Sequence, residues 1–184
     1  MGLYDTTLSI FLKHHLTRNI DVRKIEGLIP HRYGSEAVEI PGSSTILSQL
    51  GQTPWAIVTS GTQPLVSGWL EIMKLARPDV LVTAEDVLNG KPDPACYALA
   101  REKLGLDSKA RVPVVEDAPA GIKAGKGAGC EVIGLVTSHK VEEVNISEAS
   151  WIIKDLRSLK ILGWDDEKKV VKVEIANALV NRSN

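Results

Sequence analysis

"RVPVVEDAPAGIKAGKGAGCEVIGLVTS", residues 111–138, decides the fold. Residues 111–117 are mostly apolar and end in two adjacent carboxylates, Glu116 and Asp117. Residues 118–129 are rich in Ala, Gly and Lys and read as a short helix of small residues. Residues 130–138 form another apolar run. Strand, short helix, strand is a parallel crossover unit. Pro113 cannot donate to a ladder, so it belongs at the start of its strand or beside a bulge.

The same alternation extends outward. "WAIVTSGT" (55–62) reads as a strand stopping at small polar residues, and "QPLVSGWLEIMKLA" (63–76) has apolar residues at helical spacing. "DVLVTAEDV" (79–87) is a short strand. "DPACYALAREKLG" (93–105) is a helix with Asp93 as N-cap, Pro94 at its first position and Gly105 as its stop. "SWIIKDL" (150–156) is a further strand, and "ILGWDDEKKVVKVEIA" reads as a hairpin appended to the sheet edge. The nearly all-apolar strands fit burial on both sides, so the expected fold is α/β, a parallel sheet with helices on both faces. Residues 1–40 differ: "DTTLSIFLKHHL" and "DVRKIEGLIPHRYG" look like two helices, and "VEIPGSSTILSQLG" gives a Pro-Gly turn and a third.

The bulk numbers exclude some function classes. The chain has 184 residues, which fits one domain or one domain plus a small appendage, and 43% of them are hydrophobic, enough for a sizeable core. Its 22 basic and 23 acidic residues leave a formal charge of −1, which marks neither a nucleic-acid nor a membrane surface. No apolar run is long enough to span a bilayer. The N-terminus is a poor signal peptide. "MGLYDT" fits a myristoylation pattern short enough to match by chance. Cys96 and Cys130 lack metal-ligand spacing and read as small core residues, so a reduced, cytoplasmic setting is expected.

The glycines behind the acid pair suggest a phosphate loop, but the spacing fails. Gly121 to Gly125 is one residue short of the nucleotide-binding loop, and Gly127 follows Lys126 where Ser or Thr is required. Gly125, Gly127 and Gly129 run G-x-G-x-G, not the dinucleotide spacing. Small residues here suit close packing of helix on sheet.

Open α/β sheets bind ligands beyond the carboxyl ends of their strands. Three such ends carry unusual residues. Thr59, Ser60 and Gly61 offer two hydroxyls and a flexible backbone before a helix start, which suits an anion such as phosphate; an ordinary N-cap turn fits equally. Lys91, between Gly90 and Pro92, is a cation on a stiffened loop, suited to phosphate or transition-state charge. Glu116 and Asp117 repel each other unless a cation or basic group compensates, and hard oxygen ligands suit Mg²⁺. Asp117 also reads as the cap of the helix from Ala118, with Pro119 near its first position.

Hydroxyl, lysine and acid pair, in this order, resemble the later motifs of the haloacid-dehalogenase-like hydrolases: "VTSGT", "GKPDP" and "VVEDAPAGIKAGKGAG". Together with "IIKDL" they are most similar to the fungal glycerol-phosphate and 2-deoxyglucose-6-phosphate phosphatases. The resemblance implies a phosphoric monoester hydrolase of small sugar or polyol phosphates. It implies Thr59, Ser60, Gly61 and Lys91 as phosphate-binding residues, Lys91 also meeting transition-state charge, and Glu116 and Asp117 as the Mg²⁺ side. It divides the chain into a partial helical cap, 1–37, and a core with a C-terminal hairpin, 38–184.

The family's first motif, D-x-D-G-T on a central strand, supplies its nucleophile, and no D-x-D occurs in this sequence. Asp5 is followed by Thr6 and Thr7, Asp21 by Val22 and Arg23, and Asp165 and Asp166 fall in the hairpin turn. The expectations are therefore a chain that begins inside the cap, lacks its first strand, is inactive alone and holds Mg²⁺ weakly. The absent strand leaves a gap or forces its neighbours to pair, and exposed edges favour self-association. The other readings are a non-catalytic phospho-ligand binder or interaction protein, and a relic with no function of its own.

Overall fold

The structure, a computed structural model, describes residues 21–107 and 110–182. The expected first helix, the lipidation pattern and Asp5 lie outside the described residues. Helix α1 (Val22–Tyr33) starts at Asp21, whose side chain accepts from the Lys24 N–H at 3.2 Å. Then come α2 (Ser43–Gln49), β1 (Ala56–Val58), α3 (Gln63–Ile72), β2 (Val80–Val82) and α4 (Ala95–Lys103). The second half runs β3 (Pro113–Glu116), α5 (Pro119–Gly127), β4 (Glu131–Leu135), α6 (Val141–Ile146) and β5 (Trp151–Ile153). It closes with β6 (Leu159–Asp165), β7 (Val170–Ile175) and β8 (Val180–Asn181).

Local chemistry explains the ends. Pro113 opens β3, where a missing N–H costs least. Asp93 accepts from the Ala95 N–H at 2.9 Å as α4 begins, and Gly105, at φ +66, follows its end. Alternation along the strands sorts side chains to two faces. On one, Tyr97 and Ala100 of α4, Ile122 of α5 and Val144 of α6 bury Val132 and Ile152. On the other, Ile46 of α2 and the hairpin's Ile161 and Val173 cover Ile133 and Ile153. The helices on both faces are thus as the apolar pattern requires. Cys96 belongs to the first core and Cys130 packs against it; burial pushes both thiols above their ordinary range.

The hairpin is not appended to the sheet edge. β6 and β7 pair only with each other and lie on the Ile133–Ile153 face, because Leu159, Ile161, Val173 and Ile175 make one side of them apolar. The edge beside β5 is taken by β8, antiparallel, an element of two residues with no periodicity to read. Six-residue α6 is likewise too short to announce itself.

The parallel strands form two groups, β1–β2 and β3–β4–β5. A residue's N–H and C=O point to the same edge and alternate along a strand. Thr59 N–H bonds Val82 O at 2.9 Å, so Val58 presents its backbone to the opposite edge of β1. Glu131 N–H bonds Val112 O at 2.9 Å, so Val115 presents its backbone away from β4. Val58 and Val115 line one cleft, so these two edges face each other, and among the described residues no strand fills the space between them. Of the two expectations for an absent strand, the gap is what the described residues show. Val115 remains 40% exposed in a strand whose neighbours Val114 and Glu116 are buried.

Candidate active site

The gap opens, at the carboxyl ends of β1 and β3, into a cleft of about 520 Å³. Thr59, Ser60, Lys91, Glu116 and Asp117 all line it. Residues scattered over 58 positions of sequence thus meet because each follows or faces the end of a parallel strand. Gly61 stands behind the lining: its N–H donates to Thr59 Oγ1 at 3.1 Å and its carbonyl accepts from Ala84 N–H. A second cleft, about 180 Å³, shares Thr59, Ser60 and Lys91 and adds Val87, Leu88 and Cys96.

Lys91 joins the two strand groups. Its ammonium donates to Val58 O at 3.2 Å and to Glu116 Oε1, and lies 5.0 Å from the centre of the Tyr97 ring. An ammonium has three N–H donors, and these bonds leave one for a ligand. Glu116 is only 8% exposed, so its charge needs full compensation. It receives it: Tyr97 OH donates to Oε1 at 2.9 Å, and the N–H groups of Asp117 and Ala118 donate to Oε2 at 2.9 and 3.0 Å. Burial first, and then the Glu116 charge, push the Tyr97 phenol far above its ordinary value, so it stays a donor.

The two acids therefore differ in kind. Asp117 does not cap α5, whose cap position is Ala118 with Pro119 behind it. Glu116 turns back instead to take the N–H groups of Asp117 and Ala118, the two residues that precede the first helical position, and no side chain caps the helix. Gly121 makes this fold-back feasible, since a Cβ there would overlap the Glu116 carboxylate. Asp117's own carboxylate has no partner among the described residues and faces the cleft. The same residues hold no group of three or more His, Cys, Asp or Glu side chains able to hold a metal ion. One free carboxylate beside a committed ion pair is too small a ligand set to hold Mg²⁺ firmly without further oxygen ligands.

The start of α3 is also not the open anion site its sequence suggests. Thr62 N–H donates to Glu26 Oε2 at 2.9 Å, and Gln63 N–H reaches both Glu85 oxygens at 3.2 Å. The anions there are the protein's own. Tyr97, Glu26 and Glu85 carry no motif; Tyr97 sits in an apolar run indistinguishable from core.

Comparisons with known proteins agree with this architecture. A family model for the haloacid dehalogenase-like hydrolases matches residues 11–135, and the chain belongs to that family. It is 37% identical over 161 residues to glycerol-1-phosphate phosphohydrolase 1 of Saccharomyces cerevisiae, covering 83% of this chain and 64% of that one. It is 33% identical over 175 residues to 2-deoxyglucose-6-phosphate phosphatase 1 of the same yeast, covering 85% of this chain and 71% of that one. It thus spans less than two thirds of the first relative's length. Among solved structures, a hydrolase from Pseudomonas syringae superposes with a TM-score of 0.66 at 22% identity, over 85% of this chain and 76% of that one, which shows the shared fold. No described helix is long and apolar enough to cross a membrane.

Proposed function

We propose that the chain carries most of the phosphate site of a phosphoric monoester hydrolase acting on small sugar or polyol phosphates. The observation that supports it is the meeting of Thr59, Ser60, Lys91 and Asp117 in one cleft at the strand ends. The hydroxyls of Thr59 and Ser60 donate to phosphate oxygens, and the remaining Lys91 N–H meets the negative charge that develops on them. Gly61 keeps the turn tight. Yeast relatives named as phosphatases of glycerol and deoxyglucose phosphates support that substrate class.

The reaction needs a nucleophile; Glu116 is bonded at both oxygens, and this reading gives Asp117 to the metal side and Thr59 and Ser60 to the phosphate side. The nucleophile belongs on a strand between β1 and β3, so the chain by itself is inactive. Mg²⁺ is bound weakly, through Asp117 with Glu116 held beside it, until further oxygen ligands arrive; no step is derived through it. In this reading residues 1–37 are part of a helical cap, 38–184 the core, the free edges of β1 and β3 favour self-association, and the setting is cytoplasmic.

The test is phosphate release from the purified chain with glycerol phosphate and Mg²⁺, alongside phosphate binding by calorimetry. Binding without turnover, lost in Lys91→Met, is expected. Mg²⁺-dependent turnover abolished by Asp117→Ala overturns the claim of inactivity, and absence of binding overturns the phosphate site.

A further inference from the structure

We propose that Glu26, on α1, is a positioning residue for the Thr59–Gly61 loop, holding the phosphate-facing hydroxyls in place through the Thr62 N–H. The proposal rests on the phosphate reading of that loop.

Thr62 stands at the cap position of α3 but makes no side-chain cap bond: its Oγ1 is buried and unpartnered, and the residue is 7% exposed. In a capping box, an acid three residues into the helix takes the cap residue's N–H. That position here is Leu65. Glu26, 36 residues earlier, provides the acceptor instead, at 2.9 Å. The adjoining N–H, of Gln63, goes to Glu85, and Glu85 is itself held by Arg23 of α1 at 3.1 Å. The N–H groups of the cap residue Thr62 and of Gln63, the first residue of α3, are therefore secured from α1, one directly and one through an ion pair.

α1 is a firm mount for this. Gly27 lies against Pro64, Pro30 against Gly68 and Gly34 against Ile72, so the two helices run parallel in close contact. A Cβ on Gly27 would stand 2.9 Å from Pro64 Cβ, and one on Gly68 2.9 Å from Pro30 Cγ. With Thr62 N–H fixed, the Gly61–Thr62 peptide is fixed. Gly61 N–H in turn donates to Thr59 Oγ1, which orients that hydroxyl at the cleft.

Charge and positioning act oppositely, which makes the idea testable. A carboxylate this near the loop repels a bound phosphate, so removing its charge alone tightens binding. Removing its hold on the loop weakens binding.

The experiment compares the whole chain with Glu26→Gln, Glu26→Asp and Glu26→Ala by amide hydrogen exchange and by inorganic phosphate titration. A lost hydrogen bond of this kind corresponds to about tenfold. Thr62 amide exchange about tenfold faster in Glu26→Ala and Glu26→Asp, and near native in Glu26→Gln, is expected on that basis. Phosphate affinity is expected to fall about three- to tenfold in Ala and Asp and to hold or rise in Gln. Glu26→Asp keeps the charge and shortens the reach, so it serves even if Glu26→Ala unfolds. Native exchange at Thr62 in Ala and Asp, or tighter phosphate binding in Ala, overturns the proposal. If the native chain binds no phosphate, the loop's phosphate reading fails, while the Thr62 exchange still decides Glu26's hold.

Discussion

The carboxylate of Glu116 occupies the space that a side chain on residue 121 would need. The oxygens cannot move aside cheaply, because Lys91, Tyr97 and two backbone N–H groups hold them. Gly121→Ala is therefore expected to cost about 3 kcal/mol, the scale of breaking a buried ion pair. Urea unfolding measures it. A loss near zero would mean that the carboxylate relocates without losing partners.

The Lys91–Glu116 pair is buried on both sides, with side-chain exposures of 11% and 7%. Removing one partner strands the other charge. Lys91→Met and Glu116→Gln are each expected to destabilise by about 3 kcal/mol or more, and the double variant by clearly less than their sum. A double-mutant cycle by denaturant unfolding checks this. Additive losses would show that the ammonium and carboxylate do not depend on each other.

Where chain-local chemistry decided the outcome, the sequence was a sufficient guide. The run at residues 111–138 becomes β3, α5 and β4 because its apolar spacing needs no distant partner. Thr59, Lys91 and Asp117 could be singled out because strand ends converge in any parallel sheet. What each of the adjacent acids does was not legible. Glu116 is set apart from Asp117 by Tyr97, 19 residues away, and by Lys91, 25 away, neither of which it meets until the sheet forms. The hairpin misled for a related reason. Its pairing is local, but the face it covers is chosen by Ile133 and Ile153 on other strands.

Tyr97 links this site to alkaline pH. Burial, then the Glu116 charge, hold its phenol protonated well above its ordinary value of 10.0. The unfolded chain loses that proton near pH 10 while the folded chain keeps it, so the contribution is complete below pH 10 and declines as pH rises above it. Tyr97→Phe removes the titrating group. The native chain is expected to lose stability more steeply than Tyr97→Phe between about pH 9 and 11, in urea midpoints taken across that range. Parallel curves would mean that the phenol ionises as readily in the folded chain as in the unfolded one.

Val115 presents its backbone N–H and C=O across the gap toward Val58, whose carbonyl already accepts from Lys91, and an open edge of a parallel sheet invites another strand. Val115 is also 40% exposed, so it offers apolar side-chain surface along with its backbone. The purified chain is expected to associate reversibly as concentration rises. A charge at this edge opposes that without touching the buried Val114 or Glu116, so Val115→Lys is expected to shift the chain toward monomer with about 1 kcal/mol or less change in its own stability. Sedimentation velocity over a concentration series, with urea unfolding as the control, reads both quantities. Association that is unchanged in Val115→Lys places the contact elsewhere, most directly on the free edges of the β6–β7 hairpin, where Leu162 and Val170 are exposed.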